Sequence, residues 1–493
     1  MERNPLHSMQ SGTNVLETRG NPYLLGAHAP VTQEMTALDL QVIGDLPKDL
    51  HGIYLRNGPN PKFSPQGVHH WFDGDGMLHG VEIANGKVSY RNRWVRTEGL
   101  AAEEAKGATI WPGLIDRPNR SLEKSWGADR YLKDCSNTDV VFHNGRAVTT
   151  FYQCGEPYML DPHTLETLGR IDLGASGGRC ISAHSMVDEH SNEMMFFDYA
   201  TVEPYMTYGV LDPTGKLSHF TAIELPGARL PHSLAITEHY TILMDLPLFW
   251  DPELLRNDAH KVTFYPDMPS RFGVIGRHSA GKSIHWFEAE PCYIYHVINA
   301  WEDGDWVVMD GCRLDQPEPG QDRRRQFAGP YANLMAWMKL DATYHRWHFN
   351  MLTGECREEA LNDLISEFPM INGRYLGRPS RYSYHISFAP EETVLFDGLV
   401  RYDSISGAIQ QHKYPAGHYG SETPFAPRVG NSAEDDAEDS GYVLSFVSVP
   451  DEQRAELQVF DGSDISRGPI CRALIPQHIP SGFHACWIPG SSL

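Results

Sequence analysis

The chain has 493 residues, of which 41% are hydrophobic and 11% aromatic, enough to build a sizeable core and to exclude wholesale disorder. With 64 acidic residues against 41 basic ones the formal charge is −23, which argues against nucleic acid as a partner, because phosphate-backbone binding needs clustered Lys and Arg. Anionic membrane surfaces are disfavoured for the same reason, and no stretch approaches the roughly 18 consecutive apolar residues needed to span a bilayer.

From the N-terminus, residues 1–20 read as a tail in which MERNPLHSMQSG offers no apolar run of secretory-signal length. Residues 21–493 read as one domain without a linker. Short β-rich segments then follow in turn: GIYLRNG at 52–58, TDVVFHNGRAVTTFY at 138–152, DWVVMDG at 305–311 and GYVLSFVSV at 441–449. Turn chemistry bounds them at Asn85-Gly86, Asn144-Gly145, Asp303-Gly304 and Asp461-Gly462. Four strings share a strand–turn–strand plan: DPHTLETLGRIDLG (161–174), LDPTGKLSHFTAIEL (211–225), NMLTGECREEAL (350–361) and RYDSISGAIQQHKY (401–414). The fold class is therefore all-β, and the recurring hairpins place a β-propeller above a sandwich. The eight cysteines form no C-x-x-C pair and fit reduced thiols, which points to the cytoplasm. The acidic stretch SAEDDAEDSG (432–441) reads as a solvated loop, and Asp73-Gly74-Asp75-Gly76 as a tight turn without calcium-loop spacing.

Of the 24 histidines, context singles out four: His184 in CISAHSMVD, His232 in RLPHSLAIT, His296 in CYIYHVINAW and His484 in SGFHACWIP. Each lies at or beside an apolar run that reads as a buried strand. Clustered buried imidazoles are costly unless they are paired or metal-bound. Neutral imidazoles without thiolate suit Fe(II), Zn, Cu or Ni, and spacing does not choose among them. Their separation excludes a local helical motif; only a fold that brings distant strand ends together, as a propeller does on its axis, joins them.

The strings NPYLLGAHAPV (21–31), LHGIYLRNGPNPKF (50–63), HHWFDGDGMLHGV (69–81), SNTDVVFHNGR (136–146), HVINAWEDGD (296–305), SETPFAPR (421–428) and IPSGFHACW (479–487) are together specific. Through them the chain resembles the carotenoid cleavage oxygenases from about Asn21 to Pro489. The resemblance implies a seven-bladed propeller with a helical or loop cap over the metal-bearing face. It implies Fe2+ held by His184, His232, His296 and His484 without a carboxylate ligand. It further implies glutamates that accept the other ring N–H of three ligands. Glu367 and Glu422 match two of these, and Gln153 stands at the third, where it would support His184 without bringing a charge. In the alternative arrangement Glu156 or water takes that part.

The activity so implied is dioxygenase cleavage of a conjugated C=C bond of a carotenoid or apocarotenoid by O2, giving two carbonyl products. The stilbene-cleaving branch carries a lysine just before the third acid, where this chain has Tyr152, and a tyrosine where it has Trp111. A tyrosine cannot supply the cation that a phenolate needs, which turns the reading towards an apolar polyene. A stilbenoid or phenylpropenoid substrate is the alternative, and a non-oxidative isomerase-like or binding relative a third reading. Phe63, Trp111 and Tyr152 are then tunnel walls or else ordinary core. Phe249, Trp250, Leu254 and Leu255 in LPLFWDPELL are a lip touching a membrane peripherally, or else a buried loop.

Overall fold

The computed structural model describes residues 20–67, 69–114, 133–152, 155–174, 180–250, 252–253, 262–317, 340–429 and 437–493. Seven antiparallel sheets of four or five strands stand around an axis as a β-propeller, with one further two-stranded hairpin, Leu248–Trp250 with Val262–Phe264. The four repeated strings each build the outer hairpin of a blade: Tyr158–Leu160 with Thr167–Arg170, Met206–Leu211 with Leu217–Ile223, Thr343–Asn350 with Cys356–Ala360, and Phe396–Asp403 with Ile409–Lys413. Asn85-Gly86 and Asn144-Gly145 are the expected tight turns, all four residues at positive φ. Asp461-Gly462 departs from expectation: it leads into the short 3-10 helix Ile465–Arg467 before the blade's next strand, Cys471–Ile475.

Blades pack face to face through apolar side chains. Ala235, Phe272, Trp347 and Tyr402 belong to one cluster that spans three neighbouring blades, and Tyr54, Val81, Leu444 and Leu457 to another that spans two. Strands in mid-blade are accordingly buried along their whole length, as in Gly441–Val449. The ring closes twice. Ala485–Pro489, near the C-terminus, pairs with Gly52–Pro59, and Val42–Gly44 pairs with Cys471–Ile475. Two blades therefore hold strands from both ends of the chain, so neither presents an open seam.

Among the described residues the one α-helix is Glu98–Lys106, capped by the Thr97 hydroxyl at its start and by Gly107 in the left-handed conformation at its end. Asp73-Gly74-Asp75-Gly76 departs from its reading as a tight turn: Asp73 ends the 3-10 helix Trp71–Asp73, Gly74 is extended, and Gly76 opens the strand Gly76–Ala84. Of the acidic stretch read as a solvated loop, residues 432–436 lie outside the described residues. In its described part the Glu438 carboxylate accepts the backbone N–H groups of Arg381 and Tyr382, and Asp439 pairs with Arg401.

Candidate metal centre

Seven strands form the inner edges of the seven sheets: Asp139–His143, Met186–Val187, Ala235–Ile236, Tyr293–Asp303, Glu367–Met370, Phe425–Pro427 and Ala485–Pro489. Near the start of each stands a histidine or a carboxylate. In ring order these are Asp139, His184, His232, His296, Glu367, Glu422 and His484. The propeller thus gathers residues far apart in sequence into one buried cluster, because inner strands converge on the axis.

The four histidines meet. Ring centroids lie 4.3 Å apart for His184–His484, 4.6 Å for His184–His232, 4.8 Å for His296–His484, 4.9 Å for His184–His296 and 5.3 Å for His232–His296. The outer nitrogens are fixed by acids on neighbouring blades. His296 Nδ1 lies 2.5 Å from Glu367 and His484 Nδ1 2.9 Å from Glu422, which also accepts the Ala485 backbone N–H. This leaves each Nε2 facing the middle. His184 Nε2 and His232 Nε2 are 3.1 Å apart, and His296 Nε2 is buried without a hydrogen-bond partner.

Burial, then the neighbouring imidazoles, holds His184 and His232 well below the ordinary histidine range, and burial and His296 push His484 down to about 3. Burial acts the same way on His296, but the Glu367 carboxylate outweighs it and raises this group. The arrangement fits a divalent ion. A buried imidazole nitrogen without a partner costs about 1–3 kcal/mol, and coordination removes that cost. Neutral imidazoles with no thiolate among them suit Fe(II) and other borderline cations.

His184 is the odd member. Its φ is +68°, a left-handed conformation that costs a non-glycine residue roughly 1–2 kcal/mol. Gln153, expected beside it, lies outside the described residues. Glu156, the alternative partner, faces away: both its oxygens lie 2.8 Å from Arg170. The acid found near His184 is Asp139. Sequence reading missed it, although it sits in the string SNTDVVFHNGR and opens an inner strand.

Aromatic rings wall the centre. Tyr295 lies 4.9 Å from His232, Phe368 4.7 Å from His296, and Tyr152 6.0 Å from His232. Phe72 stands 4.7 Å behind Tyr152 and also lines a cavity whose other walls include Phe63, Trp111 and Phe151. Tyr152 therefore belongs to the centre, and Phe63 and Trp111 to an adjoining space. Phe249 and Trp250 do not form a surface lip. Both are buried, Phe249 stacked on Tyr265 at 4.5 Å and Trp250 packed near Tyr199, because their hairpin folds onto the blades. Leu254 and Leu255 lie outside the described residues.

Residues 28–489 match the family model described as retinal pigment epithelial membrane protein. The carotenoid 9,10(9',10')-cleavage dioxygenase 1 of Phaseolus vulgaris is 31% identical over 96% of this chain and 90% of its own. The isoeugenol monooxygenase of Pseudomonas nitroreducens is 30% identical over 96% of this chain and 98% of its own. Among solved structures, the lignostilbene dioxygenase of Pseudomonas brassicacearum superposes with a TM-score of 0.82 at 29% identity, covering 96% of this chain and 99% of that one. With its propeller, its family match and these relatives, the chain belongs to the retinal pigment epithelial membrane protein family, that of the carotenoid cleavage oxygenases, and is an enzyme of that oxygenase type.

Proposed function

We propose that His184, His232, His296 and His484 hold Fe(II), and that the enzyme splits one conjugated C=C bond of a carotenoid or apocarotenoid with O2 into two carbonyl products. The observation that carries this is the cluster of four buried imidazoles, with nitrogens aimed inward, inside an aromatic wall. Fe(II), when bound, supplies a redox-active site for O2 beside the alkene. Glu367 and Glu422 accept the Nδ1–H groups of His296 and His484 and so fix Nε2 as the ligand atom. Tyr152, Tyr295 and Phe368 exclude water and offer apolar faces to a polyene. One C=C and one O=O bond are broken and two C=O bonds formed, so the reaction needs neither reductant nor proton relay. The acids found at the centre, engaged with histidines and backbone N–H groups, suit that chemistry.

An aryl alkene, as in the names of the isoeugenol and lignostilbene relatives, is the second reading. The observation in its favour is Lys133, buried in the wall of the cavity that also holds Phe63 and Trp111. Asp75 and Glu103 already pair with that lysine, however, so it offers a phenolate no unmatched charge. The test is anaerobic loading with Fe(II), then O2 with a panel of carotenoids, apocarotenoids, hydroxystilbenes and phenylpropenoids, with products read by mass. Aldehydes or ketones from polyenes are expected. Products from aryl alkenes alone would overturn the substrate class, and none from any member would overturn the activity.

Glu367→Gln is expected to weaken Fe(II) binding by about 10–100-fold, the usual effect of losing a carboxylate behind a ligand histidine. Titration against a competing chelator measures it, and circular dichroism checks that the propeller is retained.

A further inference from the structure

We propose that Asp139 is the positioning residue of His184 and takes the part that Glu367 plays for His296 and Glu422 for His484. The inference rests on the reading of the four histidines as a metal centre.

Three observations converge on Asp139. The first is topological. His296 is served by the carboxylate of the next blade, Glu367, and His484 by that of the preceding blade, Glu422. His184 and His232 remain without such an acid; the blade that opens with Asp139 lies between those of His184 and His484, so of the two only His184 stands on a blade beside it. The second is contact. Asp139 Oδ2 accepts the backbone N–H of His184 at 3.0 Å and lies 3.7 Å from its Nδ1. One oxygen therefore both holds the residue's left-handed backbone and faces the outer nitrogen of its ring. The third is that Asp139 is itself fixed. Its Oδ1 accepts the Val140 N–H at 2.7 Å, and its backbone carbonyl accepts from Asn57 Nδ2 at 3.0 Å. Asn57 also donates its backbone N–H to the carbonyl of His484, so a single residue braces the Asp139 strand against the neighbouring ligand. Asp139 is buried, with about 7% of its surface exposed, so its charge acts at short range with little water to screen it.

A purely structural role for Asp139 would consist of the backbone contact alone, which an asparagine oxygen can also make. The charge and the contact can therefore be separated. The full-length protein is prepared metal-free as wild type, Asp139→Asn and Asp139→Glu. Fe(II) and Co(II) affinities are measured by chelator competition, together with the visible ligand-field spectrum of the Co(II) form and the melting temperature. Asp139→Asn is expected to keep the melting temperature, to weaken metal binding by about tenfold or more, and to shift the Co(II) bands. Asp139→Glu, which keeps the charge, is expected to retain most of the affinity. Affinity and spectrum unchanged in Asp139→Asn would overturn the role. Should Asp139→Asn fail to fold, Asp139→Glu decides the matter: loss of metal binding in that variant with its melting temperature kept would overturn the role. A wild type that binds neither metal would overturn the metal centre itself, a failure distinct from these.

Discussion

His484→Ala is expected to fold, to lose Fe(II) by well over tenfold in affinity, and to show no measurable alkene cleavage. His484 is one of four imidazoles proposed to share the ion, and its ring lies within 5 Å of both His184 and His296, at 4.3 and 4.8 Å. Its removal opens one side of the centre and leaves Glu422 without the Nδ1–H that it accepts at 2.9 Å. A buried carboxylate stripped of a partner would ordinarily threaten the fold. Here the Glu422 carboxyl is pushed up to about 8, mainly by burial, so near neutral pH it takes a proton and stays neutral. A carboxyl whose folded pKa is raised binds protons better folded than unfolded, so through this group the metal-free protein loses stability as pH rises from about 4.5 to 8. Metal analysis, O2 consumption and circular dichroism at pH 7 check the variant. His418→Ala, at a half-buried residue outside the centre whose ring bonds the Ala416 carbonyl, is the control expected to retain both metal and activity. Full iron occupancy in His484→Ala would remove this residue from the site.

The reasons for that expectation were unequally visible in the sequence. The blades were legible because an outer hairpin repeats with local turn chemistry, as in DPTGK at 212–216 and LTGE at 352–355. Spacing alone could group His184, His232, His296 and His484 only as buried histidines beside strands; the family resemblance put them together. Their convergence depends on strand order around the ring and on two closures that tie residues 42–59 to residues 471–489, contacts too distant in sequence for any pattern to reveal. Asp139 was hidden for a related reason. An aspartate before Val-Val-Phe reads as an ordinary strand start, and only its place on the inner strand of the neighbouring blade sets it beside His184. Phe249 and Trp250 stayed open between two readings: a run of large apolar residues looks alike whether it faces a membrane or folds back onto a blade, and here the pairing of Leu248–Trp250 with Val262–Phe264 decides for burial.

Lys133→Met is expected to cost about 3–5 kcal/mol of stability, the usual result of removing one partner from a buried ionic cluster. Lys133 Nζ contacts Asp75 and lies 2.5 Å from Glu103, and all three side chains are at least nine-tenths buried, with Glu103 only 1% exposed. The cluster ties the link before the strand Gly76–Ala84, which holds Asp75, to the helix Glu98–Lys106 and to the chain entering the Asp139 strand. Burial alone would discharge the lysine, but the two carboxylates outweigh it and hold the ammonium charged. Methionine fills a similar volume and leaves two carboxylates facing each other without a cation. Other donors remain, the backbone N–H of Lys62 to Asp75 and that of Ile110 to Glu103, but neither carries a charge. The loss is expected to shrink in acid, where one of the stranded carboxylates takes up a proton in the folded state. Asp75→Asn with Glu103→Gln in the same chain is expected to recover most of it, since an uncharged cluster has no repulsion to relieve. Denaturant unfolding at pH 7 and pH 5 tests both statements. A loss below about 1 kcal/mol at pH 7 would mean that water reaches the cluster and screens it, the behaviour of a surface pair.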